Sequence, residues 1–162
     1  MPQRESHGEG TYFLTFTTYG TRLPGDDRGS TDRRRNTYTL PRDPPNPALR
    51  HAMAHALKSA PVVLSTHERE IAHATIRGLA ERRDWHLRAL NVRSNHVHAV
   101  VWAEEPPLQV IQGMKAWVTR ELRSARLRQR EEILWTKRGS CQYLWDELAI
   151  LRAVDYVLFL QD

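Results

Sequence analysis

Residues 85–102 read WHLRALNVRSNHVHAVVW, and this stretch decides the fold. Two runs rich in Val, Leu and Trp flank Arg93-Ser94-Asn95, a short polar segment with the composition of a tight turn. The pattern predicts a strand over 85–92, a turn, and a second strand over 96–102. The centre of the chain is therefore expected to be a β-hairpin.

Further elements are predicted on both sides of this hairpin from apolar periodicity and from turn and cap signals. Before it, the sequence predicts a strand over 11–18, a short helix over 47–59 and a helix that starts with Thr66 as its N-cap. After it, the sequence predicts a helix over 108–130, a short strand over 141–145 and a final helix from Asp146 onward. This order is typical of a split βαβ arrangement, an α+β ferredoxin-like fold. We expect an antiparallel sheet with helices on one face and an additional C-terminal helix, and we expect Trp102, Trp117 and Trp145 in the core.

Length and composition favour one soluble domain. At 162 residues the chain is expected to form a single domain over 1–162, with a long basic and Pro-rich loop at about 20–47. No apolar run is long enough to span a membrane, so no membrane association is expected. The single cysteine, Cys141, excludes an internal disulfide framework and a multi-thiolate zinc site. A reducing, cytoplasmic setting follows most simply.

The charge of the chain points to a class of partner. The formal net charge is +5, and 21 of the 24 basic residues are arginine, whose planar guanidinium grips phosphate in two places. A small basic protein of this kind is a candidate nucleic-acid binder. A GC-rich coding bias that replaces lysine by arginine on a solvated surface explains the same composition.

His96, His98 and Tyr156 are the residues whose spacing suggests chemistry. Two residues apart in a strand, the two histidines leave the same face about 6.6 Å apart along the chain, where they can chelate one divalent ion. Two unrelated surface histidines would show the same spacing, so a third ligand is needed. Tyr156 lies in the predicted last helix, which ends with Gln161. Beside a metal, its phenol is a competent nucleophile toward phosphorus.

These residues resemble a known family. Asn95-His96-Val97-His98 is similar to the HUH motif (histidine, bulky hydrophobe, histidine) of single-tyrosine transposases. The opening YFLTFTTYGTRLPGDDRGS, Met114-Lys115, the segment from Trp135 to Ser140 and the ending AVDYVLFLQD also match insertion-sequence and REP-associated tyrosine transposases. The resemblance covers roughly residues 11–161 and is weakest across 33–60.

The resemblance implies a ferredoxin-like enzyme that cuts and rejoins single-stranded DNA with hairpin or palindromic repeats. His96, His98 and Gln161 would hold Mg²⁺ or Mn²⁺, and Tyr156 would form a 5′-phosphotyrosine. The residues expected to contact DNA are Arg22, Arg28, Arg33, Arg34, Arg35 and Lys115. The resemblance leaves monomer and homodimer open. Two alternatives remain at this point, a domesticated protein that binds hairpin DNA without cutting it and an RNA-binding module of RRM type, which would expose aromatic residues on its central strands.

Overall fold

The computed structural model describes residues 10–21 and 44–160. Four antiparallel strands form one sheet in the order β2-β3-β1-β4. The strands are β1 (Gly10–Thr17), β2 (His86–Val92), β3 (His96–Ala103) and β4 (Ser140–Tyr143). The helices are α1 (Pro47–His55), α2 (Thr66–Arg82), α3 (Pro107–Ser124) and α4 (Glu147–Phe159). The α+β sheet topology predicted from the sequence is confirmed, and each predicted strand agrees with the observed one to within two residues.

The two faces of the sheet carry different helices. On one face, α2 and α3 pack against each other and cover the main core, to which β3 contributes Val97, Ala99 and Val101. On the other face, α4 packs on β2 and β3 over a second, smaller cluster that includes Phe13, Val100, Ile150, Ala153 and Val157. The sheet is therefore covered on both sides.

The start of α2 differs by one residue from the prediction. Ser65, not Thr66, is the N-cap, because Ser65 and Glu68 form a capping box. The Ser65 hydroxyl accepts from the Glu68 amide at 3.1 Å, and the Glu68 carboxylate accepts from the Ser65 amide at 2.8 Å. Burial raises the pKa of Glu68, but hydrogen bonds from Arg128 and Ser65 outweigh it and hold the pKa below its ordinary value.

The end of α3 differs more, since the predicted helix over 108–130 stops at Ser124. Arg126 adopts a left-handed conformation with φ 59°, and the Leu127 amide donates back to the Leu122 carbonyl at 3.0 Å. This is a Schellman termination with a non-glycine residue at its left-handed position. The arginines beyond it belong to a turn instead, and Arg128 folds back to pair with Glu68.

Two other predictions are corrected in detail. Helix α1 ends at His55 rather than at residue 59. Trp145 is 71% exposed, because β4 ends at Tyr143 and Asp146 already caps α4, so its ring stacks on Tyr143 outside the core. Trp117 packs against the main core and Trp102 is partly buried. Among residues 10–21 and 44–160, no helix is long and apolar enough to cross a membrane.

Candidate active site

The two histidines lie side by side on the sheet face that also carries α4, here called the histidine face. Strand alternation turns Val97 and Ala99 toward the main core and leaves His96, His98 and Val100 on the opposite side. Both histidines are buried, and their ring centroids are 4.6 Å apart. The same-face placement predicted from their spacing is what the structure has.

Each imidazole is held through its Nδ1 atom. His96 Nδ1 lies 2.7 Å from Asn95 Oδ1, and His98 Nδ1 lies 2.7 Å from Thr15 Oγ1. A carbonyl oxygen only accepts, so His96 donates from Nδ1, and in the neutral imidazole this leaves the lone pair on Nε2. The Thr15 hydroxyl can accept in the same way from His98. This arrangement is the one that metal-binding histidines use, with an oxygen acceptor fixing the ring and the other nitrogen serving as ligand.

Helix α4 brings Tyr156 to the same place. The Tyr156 and His98 ring centroids are 5.9 Å apart, and both rings contact Phe13, which stacks on His98 and meets Tyr156 edge to face. The side chain of Asn91 on β2 donates to the Val157 carbonyl at 3.0 Å and so ties this turn of α4 to the sheet. A phenol and a histidine pair from distant parts of the chain therefore share one site.

The donor set fits a divalent metal ion in part. Two imidazoles whose Nδ1 atoms are bonded to oxygen are suited, in their neutral form, to ligation through Nε2. Within the described residues, no cluster of three or more His, Cys, Asp or Glu side chains completes such a site. Gln161, the third ligand expected from the resemblance, lies outside the described residues.

The predicted DNA contacts divide into two groups. Arg22, Arg28 and Arg33 to Arg35 lie outside the described residues. Lys115 is described, and its ammonium donates to the Thr136 and Arg138 carbonyls at 2.7 and 2.8 Å. Burial lowers the pKa of Lys115 to about 8. In the structure this lysine holds a loop of the protein itself.

Sequence reasoning missed the residues that support the histidines. Asn95 lies in the predicted turn and in the stretch that resembles the HUH motif, but the sequence indicates no role for its side chain. Thr15 and Thr17 alternate with the apolar residues of β1, and the register pairs them with His98 and His96. The period-two pattern of β1 was the available signal, but the pattern alone does not say which strand lies beside it.

Comparison with known proteins identifies a family and a similar fold. A family profile described as "Transposase IS200 like" matches residues 51–147, which include both histidines and end before Tyr156. A solved structure described as the REP-associated tyrosine transposase bound to a REP hairpin aligns with a TM-score of 0.54 at 14% identity, over 97% of this chain and 69% of that chain. At that identity the structural likeness shows the fold. No curated protein matches the chain.

Proposed function

The chain belongs to the family of IS200-like transposases, and from this premise we propose that it is a metal-dependent endonuclease and strand transferase for single-stranded DNA. Membership of the family implies a DNA-cleaving enzyme. The observation that carries the finer proposal is the meeting of Tyr156 with His98 and His96 on the histidine face. Metal-dependent phosphodiester transesterification requires a nucleophile beside groups that can bind a metal ion, and a tyrosine beside two imidazoles meets this requirement.

The histidines act as ligands and Asn95 and Thr15 as their supports. Through Nε2, His96 and His98 would hold Mg²⁺ or Mn²⁺, with Gln161 as the further ligand. Bound there, the ion would supply Lewis-acid polarisation of the scissile phosphate. Because each Nδ1 is already bonded to oxygen, neither ring has to reorient before it binds.

Tyr156 is the nucleophile in this proposal. Its hydroxyl loses its proton to solvent as the oxygen attacks phosphorus, one Tyr–O–P bond forms, and the bond from phosphorus to the 3′ oxygen of the neighbouring nucleotide breaks. That oxygen takes up a proton and leaves as a 3′-OH, while the other fragment stays on the protein as a 5′-phosphotyrosine. A 3′-OH can reverse the step, so strand transfer needs no nucleoside triphosphate.

Hairpin DNA is the proposed partner. The structurally similar transposase is bound to a REP hairpin, and this chain carries a net charge of +5 with an arginine run at Arg33-Arg34-Arg35. Guanidinium groups contact phosphates without regard to sequence. The RRM-type alternative has less support, because β3 carries His96 and His98 at central positions of this face, and Phe13, the aromatic residue of β1 on the same face, is buried.

The deciding experiment is covalent trapping. Labelled hairpin DNA with single-stranded flanks is incubated with the protein and Mn²⁺, and adducts are resolved on a denaturing gel and mapped by peptide mass. Wild type is expected to form an adduct at Tyr156. Tyr156→Phe keeps the ring packing against Phe13 and should form none. The matched control is Tyr143→Phe, since Tyr143 packs on Tyr12 toward the main core and should not affect the adduct.

The histidines provide a second arm of the same test. His96→Ala and His98→Ala should each abolish the adduct and leave hairpin affinity within a few-fold of wild type. An adduct that persists in Tyr156→Phe, or that maps to another tyrosine, contradicts the assignment. Hairpin binding by wild type with no adduct on any hairpin would support the alternative, a protein that binds hairpin DNA without cutting it.

A further inference from the structure

A strip of hydroxyl groups continues the histidine face beyond the histidines. Thr15 and Thr17 of β1 pair in register with His98 and His96, and Ser140 of β4 pairs with Thr15. The Thr136 hydroxyl lies 3.1 Å from that of Thr17. We call these four residues, Thr15, Thr17, Thr136 and Ser140, the hydroxyl strip. All four are partly exposed.

Helix α4 leaves this half of the face accessible. It packs on β2 and β3, whereas the hydroxyl strip lies on β1, at the start of β4 and in the loop before it. Two strand spacings, about 10 Å, separate β3 from β4. A nucleic-acid strand whose phosphate sits at the histidines can therefore extend over the strip without displacing α4.

The loop before β4 borders the strip with positive charge. Lys137 and Arg138 are both exposed, and residues 133–145 contain no acidic side chain. The Thr136 hydroxyl donates within the protein, to the Thr17 and Arg138 carbonyls at 3.3 Å. A surface with two cations and the further hydroxyls of Thr15 and Ser140 suits phosphate oxygens, which accept from Lys, Arg, Ser and Thr side chains.

The loop is held in a fixed position. Lys115 donates to the Thr136 and Arg138 carbonyls, and the Thr136 amide donates to the Thr17 carbonyl at 3.1 Å. Gly139 lies so close to β1 that a Cβ at this position would be 2.8 Å from the Thr15 carbonyl oxygen. Only glycine allows this approach, so the two cations stand on an anchored loop next to the hydroxyl strip.

We propose that the hydroxyl strip together with Lys137 and Arg138 binds the phosphate backbone of the single strand adjacent to the phosphate held at His96 and His98. This rests on the proposed function and adds to it the path of the strand. Lys115 is a positioning residue in this proposal, since its ammonium binds the loop and the loop presents the cations.

The test measures equilibrium binding of labelled oligothymidylate to the full chain by fluorescence anisotropy at increasing salt, without divalent metal. The logarithm of affinity falls with the logarithm of salt by about 0.7 for each phosphate contact to a single strand. Lys137→Ala/Arg138→Ala is expected to reduce the slope by about 1.4. Arg77→Ala/Arg82→Ala removes the same charge from α2, on the other face of the sheet, and should leave the slope unchanged.

A further pair of variants separates positioning from charge. Lys115→Met should lower affinity through the released loop, and Lys115→Arg, which keeps a donor to the carbonyls, should restore part of it. Equal slopes for wild type and Lys137→Ala/Arg138→Ala would overturn the proposal, as would a wild type that does not bind oligothymidylate. The binding experiment needs no cleavage, so its outcome is independent of the covalent trapping experiment. An adduct at Tyr156 together with an unchanged slope in the Lys137→Ala/Arg138→Ala variant refutes only the proposed path of the strand. A reduced slope together with no adduct refutes only the proposed nuclease activity.

Discussion

At the scale of single residues, the orientation of two imidazoles decides what the site can do. Asn95 and Thr15 bond the Nδ1 atoms of His96 and His98. The same two histidines with Nδ1 exposed and Nε2 protonated would present no lone pair toward a ligand at Nε2. The supports are therefore as much part of the candidate metal site as the histidines themselves.

Asn95→Ala is expected to weaken Mn²⁺ binding about 10- to 100-fold, because loss of an acceptor behind a ligating histidine has effects of that size. Titration calorimetry with Mn²⁺ measures it. Asn95→Asp keeps an oxygen at the same place and serves as the control, with affinity close to wild type. Unchanged affinity in the alanine variant would show that the bond to Asn95 does not prepare His96 for a metal.

Burial of the Lys115 ammonium is expected to make the free energy of unfolding depend on pH. Burial lowers its pKa to about 8 in the folded chain, from the ordinary value of 10.5. Between these two values the unfolded chain binds more protons, so the folded state gains stability as pH rises through this window. Wild type should therefore gain unfolding free energy relative to Lys115→Met between about pH 8 and 10.5. Urea unfolding at several pH values checks this, and two parallel curves would contradict the burial of the ammonium.

At the scale of elements, the ends of helices depend on residues whose role cannot be recognised from the sequence. Arg126 terminates α3 in a left-handed conformation that L side chains rarely adopt. Glycine usually occupies this position. With arginine there, the run 108–130 reads as one continuous helix, and the prediction extended it six residues too far.

Arg126→Gly is expected to raise the free energy of unfolding by about 1 kcal/mol, because glycine relieves the steric cost of the left-handed backbone. Ser124→Gly, two residues earlier and still within α3, should lower it by about 0.5 kcal/mol. Chemical denaturation of the two variants beside wild type measures both effects. If both substitutions lower the free energy of unfolding, the assignment of a Schellman termination to the end of α3 is wrong.

The elements of the fold could be predicted from the sequence, whereas the contacts between them could not. The hairpin at 85–102 and the order of elements follow from periodicity, which is local, and they are confirmed. The hydrogen bond between Thr15 and His98 joins residues that are 83 positions apart in the sequence. The bond between Thr17 and Thr136 joins residues that are 119 positions apart. Such contacts depend on strand register and on which strands are neighbours. Local patterns do not encode either.

At the scale of the whole molecule, charge dominates the expected interaction with DNA. Most of the positively charged residues behind the net charge of +5 are arginine. Replacing Arg33, Arg34 and Arg35 with alanine is expected to reduce the slope of the logarithm of hairpin affinity against the logarithm of salt concentration. For three contacts to duplex phosphates the slope should fall by about 2.7. Binding isotherms at several salt concentrations decide the matter, and an unchanged slope would mean that the run does not touch DNA.

The placement of α4 on its own side of the sheet has a consequence for hydrogen exchange. Its inner face rests on the small cluster around Phe13, Val100 and Val157, while Leu148, Leu151 and Leu158 on its other side are exposed to solvent. The amides of α4 should therefore exchange with deuterium through local opening, well before those of α2 and α3, which share the main core. The helix that bears Tyr156 can then detach and return while the sheet beneath the histidines stays intact.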